Sequence, residues 1–96
     1  MARYRILHWK EIPSLVEAFD GDLVARVPLS QRFQDLIDAV AVREGSTDTE
    51  AYLEGWGQGP DVDRAGDPNT VAEAVAAEIE ASFPELVAAR FLPRSP

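Results

Sequence analysis

Ninety-six residues, 46% of them apolar and 27% charged, make a soluble chain with one hydrophobic core, because two cores would leave each half too small to fold. The formal charge of −8, from 17 acidic and 9 basic residues, repels phosphate backbones, and with no basic stripe interleaved with aromatics it argues against nucleic-acid binding. There is no cysteine for a disulfide framework, no apolar run near the roughly 18–20 residues that span a bilayer, and a start too short and charged for a secretory signal, so a cytoplasmic protein without a membrane partner is expected.

The chain reads as a single domain over 1–96, with its core at roughly 3–91 and a frayed tail from Leu92 to Pro96. Arg3 to Lys10 alternates two residue sets, as a strand requires. Tyr4, Ile6 and His8 share one face, and Arg3, Arg5, Leu7 and Trp9 share the other. Apolar residues on both faces suit an interior strand. Ile12-Pro13 then makes a stiff corner, since proline fixes its own φ and biases the residue before it towards extended geometry.

Leu15 to Phe19 and Leu23 to Val27 flank Asp20-Gly21, a pair suited to the positive φ angles of a type I′ hairpin loop. With that loop Ala18 opposes Leu23, Val16 opposes Ala25, and Glu17 lies diagonal to Arg26. Val16, Ala18, Leu23, Ala25 and Val27 then form a core-like face, and Leu15, Glu17, Phe19, Val24 and Arg26 a mixed one.

Ser30 is a suitable N-cap for a helix in which Phe33, Leu36, Ile37, Val40 and Ala41 recur at helical spacing, and Gly45 is its left-handed stop. Ser46 to Glu50 reads as a polar loop. Ala51 to Trp56 reads as a short fourth strand, ended by Gly57 and Gly59, with Gly55 marking a bulge or a close backbone approach. A continued helix is the alternative there. Gln58 to Gly66 lacks apolar periodicity and is expected as a surface loop. Asp67-Pro68 starts a second helix with Val71, Ala74, Val75 and Ile79 as its stripe. Pro84 ends or kinks it, and Ser82-Phe83-Pro84-Glu85 has the spacing of a capping box for a short helix over Leu86, Val87 and Phe91.

The order β-β-β-α-β-α predicts an α+β fold: a mixed four-stranded sheet, order 3-2-1-4, with two to three helices packed on one face. A right-handed crossover puts the fourth strand parallel to the first. The other face is expected to show Leu15, Phe19 and Val24, with Leu7 and Trp9, as a partner or dimer surface.

Chemistry is sparse. His8 is the sole candidate for a neutral-pH base, and the competing reading is a histidine that closes a sheet end by bonding to backbone. No second histidine or cysteine supplies zinc ligands. Asp61, Asp63 and Asp67 lack the spaced acceptors and terminal glutamate of a calcium loop. Gly55, Gly57 and Gly59 lack the lysine and helix start that cradle phosphate. No Gly-x-Ser-x-Gly elbow occurs, and Ser14, Ser30, Ser46 and Ser82 all fall at turns or caps. No catalytic residue, metal site or cofactor is therefore assigned. Trp9 and Trp56 lie near strand ends, where an amphipathic ring either packs or anchors a partner. The candidate binding residues are Trp9, Lys10, Glu11, Phe19, Tyr52 and Trp56.

The blocks His8-Trp9-Lys10-Glu11-Ile12-Pro13, Arg32-Phe33, Ile37-Asp38-Ala39, and Ala51-Tyr52-Leu53-Glu54 with Trp56 resemble the small bacterial virulence factor domain family, over roughly residues 3 to 80. This chain has His8 where the family has tyrosine and Leu15 where glutamine is common, so His8 is no shared catalytic residue. The family label implies no reaction. The resemblance implies a setting beside methyltetrahydrofolate–corrinoid methyl transfer. Two readings follow: a non-catalytic protein-interaction or accessory module, with a protein partner or homodimer, and a folate-linked enzyme or small-ligand-binding subunit using the His8, Trp9 and Lys10 strand end.

Overall fold

The computed structural model describes residues 1–45 and 49–90. The expectations for residues 46–48, for Phe91 and for the frayed tail lie outside the described residues. Five strands and four helices follow in order: β1 (Ala2–Trp9), β2 (Ile12–Asp20), β3 (Leu23–Pro28), α1 (Gln31–Arg43), α2 (Thr49–Glu54), β4 (Trp56–Gln58), β5 (Val62–Arg64), α3 (Pro68–Ala81) and α4 (Phe83–Arg90).

The fold is α+β, and β3, β2, β1 and β4 stand side by side in the predicted order. β5 also pairs with β1, and every pairing is antiparallel. The expected parallel fourth strand is thus corrected. β4 returns along the C-terminal half of β1, with Trp9 opposite Trp56, and β5 continues along the N-terminal half, with Ala2 opposite Arg64. Between them Gly59, Pro60 and Asp61 stand against Arg5 and Ile6, so this edge carries one extra residue. The loop expected at Gln58 to Gly66 hides β5 because a three-residue edge strand borrows its hydrogen bonds from β1 and needs no apolar alternation of its own. Ala51 to Glu54, expected as strand, lies in helix α2, where alanine, leucine and glutamate favour the helical backbone and Gly55 follows as the stop.

β1 and β2 form a hairpin whose two-residue turn is Lys10-Glu11, not Ile12-Pro13. Lys10 has φ +52°, uncommon for a side-chain-bearing residue. Its N–H donates to the Gly55 carbonyl at 2.7 Å, which fixes the turn against the end of α2. Leu7 pairs with Leu15 but His8 pairs with Pro13, so Ser14 is a bulge in β2. Pro13 lies beyond the point where β3 begins to pair, at Leu15 opposite Pro28. There its missing N–H leaves no gap in the β2–β3 ladder.

The second hairpin turns at Gly21-Asp22, with Asp20 opposite Leu23. A type I′ loop needs φ > 0 at both central residues, but here Gly21 has it (φ +59°) and Asp22 does not. The register therefore differs by two from the expected one. A two-residue slip keeps every side chain on its face. Val16 now faces Val27, and Glu17 sits directly opposite Arg26 rather than diagonal to it.

One contiguous core results. Ala2, Val16 and Ala18 are buried from the sheet, with Tyr4, Ile6, Ala25 and Val27 packed against them. α3 lies across β1, β2 and β3 and buries Val71, Ala72, Val75 and Ala76. Its stripe turns one position from the predicted one, placing two alanines against the sheet where a close helix needs small side chains. Asp67 caps it by accepting from the Thr70 N–H. α1 buries Phe33, Leu36, Ile37, Val40 and Ala41 as its periodicity requires, and Gly45 follows with φ +72°. Ser30 has extended N-cap backbone, but its hydroxyl donates to Glu80 instead of capping its own helix. Ser82 likewise turns its hydroxyl back to the Ile79 carbonyl, at 2.8 Å.

The opposite sheet face is only partly as expected. Leu7, Leu15 and Phe19 are partly buried outside the core cluster, and Val24 is 50% exposed. Its middle holds Glu17, 7% exposed, between Arg5 and Arg26. Trp9 does not show there at all; it is fully buried.

Candidate functional site

Irregularities in each layer fall at one end of the molecule. The Lys10-Glu11 turn and the Ser14 bulge interrupt the sheet, Gly59-Pro60 interrupts the edge strand, and Ser82 separates α3 from α4. Among them lies a pocket of about 520 Å³. Ile6, His8 and Pro13 form its sheet wall, Gly59 and Pro60 its edge, and Ile79, Ser82 and Leu86 its helical wall; Lys10 and Glu11 complete it. The walls are mainly apolar, and the volume lies within the range of about 300–1,000 Å³ typical of small-molecule sites.

His8 is positioned by both of its neighbours. It stands opposite Pro13 on β2 and Gly57 on β4. Gly57 leaves room for the imidazole: a Cβ there would lie 3.3 Å from His8 Cε1. The ring's Nδ1 is enclosed and has no hydrogen-bond partner among the described residues. The backbone bond expected to explain this histidine is therefore not made at Nδ1. Ser82 Oγ donates to Ile79, and the Lys10 ammonium lies 2.6 Å from Glu44 and 4.9 Å over the Trp9 ring.

An aromatic layer supports the turn. Trp9 Nε1 donates to the Tyr52 carbonyl at 2.7 Å, its ring stacks on Tyr52 at 5.7 Å, and Tyr52 meets Trp56 edge-on at 6.0 Å. Gly55 closes on the Trp9 indole; a Cβ there would come within 2.6 Å of Cε2 and clash with Nε1 as well. The close backbone approach predicted for Gly55 is this contact.

Of the six predicted site residues, Trp9, Lys10, Tyr52 and Trp56 come together, with Glu11 exposed in the adjoining turn. Trp9 supports from inside and offers no surface. Phe19 lies at the far end of the hairpin, opposite Arg3 and Val24 and 5.1 Å beneath the Arg5 guanidinium. Sequence reasoning missed Ile6, Pro13, Pro60, Ile79 and Leu86 as pocket walls. The signal available was the Pro60 and Pro84 breaks, each of which interrupts a layer beside His8. Among the described residues, no group of three or more histidine, aspartate or glutamate side chains is placed to hold a metal ion. No helix among them is long and apolar enough to cross a membrane.

The fold and the pocket define a small α+β domain built around a hairpin end. The family model described as Virulence factor matches residues 7–89, and the chain belongs to that family. No curated protein and no solved structure matches the chain.

Proposed function

We propose that this chain is a non-catalytic accessory module that binds through the strand-end pocket, acting in bacterial one-carbon metabolism beside methyltetrahydrofolate and corrinoid methyl transfer. The observation that carries the binding reading is the pocket itself: about 520 Å³, mainly apolar, with one imidazole in its wall. A catalytic base needs an orienting partner or an adjacent nucleophile. No hydrogen bond joins His8 to a carboxylate or hydroxyl among the described residues. The metabolic setting rests on the family resemblance alone. The protein-partner form of the reading draws on the exposed Leu53 beside Tyr52 and Trp56, and the small-ligand form on the enclosed imidazole.

Two measurements test it. Purified protein titrated with 5-methyltetrahydrofolate should show a saturable change in tryptophan fluorescence if the ligand is a reduced folate. Co-purification from the source organism should recover a stoichiometric partner that Leu86→Asp, at the pocket wall, fails to retain. A protein that answers to neither is not the module described.

A further inference from the structure

Resting on the binding reading above, we propose that the pocket selects a neutral, largely apolar ligand or ligand moiety carrying a hydrogen-bond acceptor such as a ketone or amide carbonyl, and that the Nε2–H of His8 is the donor that reads it. His8 Nδ1 has no partner among the described residues. A proton on Nδ1 would strand a donor in an apolar wall, whereas a bare lone pair there is the less costly state. With Nδ1 bare the ring carries its hydrogen on Nε2, which is not among the enclosed unpartnered atoms, and His8 lines the pocket.

Competing polar groups are already engaged. Ser82 Oγ gives its hydrogen to the Ile79 carbonyl, and the Lys10 ammonium is neutralised by Glu44. Glu11 at the turn also lines the pocket and has an interaction of its own, and the other described lining residues, Ile6, Pro13, Gly59, Pro60, Ile79 and Leu86, have no side-chain hydrogen-bonding group. An anionic group meets no unpaired cation among the described lining residues and approaches a chain of net charge −8, so the carboxylate tail of a ligand such as a reduced folate stays outside and only its neutral part enters. A neutral acceptor on an apolar body therefore matches the lining. Gly57 holds the geometry, because the bare backbone lets the ring lie against β4 without a side chain between them.

The matched probes are acetophenone and ethylbenzene, which differ at one carbon by a carbonyl. Both should bind, acetophenone roughly three- to tenfold more tightly, the gain expected of one net hydrogen bond. Acetophenone alone should move the ¹⁵N resonance of His8 Nε2. In His8→Phe the two probes should bind equally. Equal binding to the wild type, or a preference that survives His8→Phe, overturns the acceptor proposal and leaves the pocket standing. Failure of both probes to bind overturns the pocket reading itself, and binding of ethylbenzene alone overturns the acceptor proposal. If His8→Phe does not fold, the wild-type Nε2 resonance decides: a shift with acetophenone supports the proposal, and none overturns it.

Discussion

At the residue scale two contacts are exposed to direct test. Glu17 sits on the sheet face away from α3, yet Arg5 and Arg26 enclose its carboxylate, at 2.6 and 2.7 Å. The Arg5 hydrogen bond holds its pKa below the ordinary value, burial opposes this, and Arg26 adds to the lowering. Replacing the carboxylate leaves two guanidinium groups facing each other across the ladder. Glu17→Gln should cost about 1–3 kcal/mol at neutral pH, read from urea denaturation, because charge-assisted bonds to an enclosed group are lost. A change within experimental error would show that solvent screens this cluster as it does an ordinary surface pair. Gly55→Ala tests the other contact. Its methyl has to displace a fully buried indole, so overpacking should cost about 1–3 kcal/mol and shift the tryptophan emission. An unchanged midpoint would mean that Trp9 has room to move.

At the element scale the junction of α1, α3 and α4 rests on one side chain. Glu80 accepts from the Ser30 N–H at 2.6 Å, from its hydroxyl at 2.8 Å and from the Arg32 guanidinium at 3.0 Å. Arg32 also donates to the Glu80 carbonyl and lies 4.3 Å over Phe83, which meets Phe33 edge-on at 4.8 Å. The start of α1 is thus capped from another helix. Glu80→Ala should cost about 1 kcal/mol, and it should raise amide hydrogen exchange in the first turn of α1 before it does so in β1 or β2. Uniformly faster exchange across all elements would place the loss in global stability and not in this junction.

At the scale of the whole molecule, the two partly enclosed carboxylates give stability a pH dependence of definite sign. Burial raises the Glu80 pKa, but the Ser30 and Arg32 hydrogen bonds outweigh it and bring the value down; Glu17 is lowered as well. A carboxyl lowered in the folded state binds fewer protons there than in the unfolded chain. Its contribution is present above the unfolded value and is lost as pH falls through the folded one. Denaturation midpoints should therefore hold near neutrality and decline below the ordinary glutamate value of 4.5. The double variant Glu17→Gln with Glu80→Gln should flatten that decline, and an equally steep acid limb would assign it to other groups.

The sequence by itself determined the α+β class, the β3-β2-β1 order of the first three strands, the buried stripe of α1 and the Asp67 start of α3. Each rests on a local cause: side-chain period, cap chemistry or the φ freedom of glycine. It also named four residues that meet, Trp9, Lys10, Tyr52 and Trp56, but of the six candidates only Lys10 and Glu11 line the pocket. Only the tertiary structure decided the direction of β4, the existence of β5 and the burial of Trp9. An edge strand of three residues is defined by its partner's free hydrogen bonds, and no period can show in so short a run. The pocket beside His8 belongs to the same class. Its walls come from Ile6, Pro13, Pro60, Ile79 and Leu86, far apart in the chain. They share a cavity only because a β-bulge, an edge-strand interruption and a helix break fall at one end of the sheet.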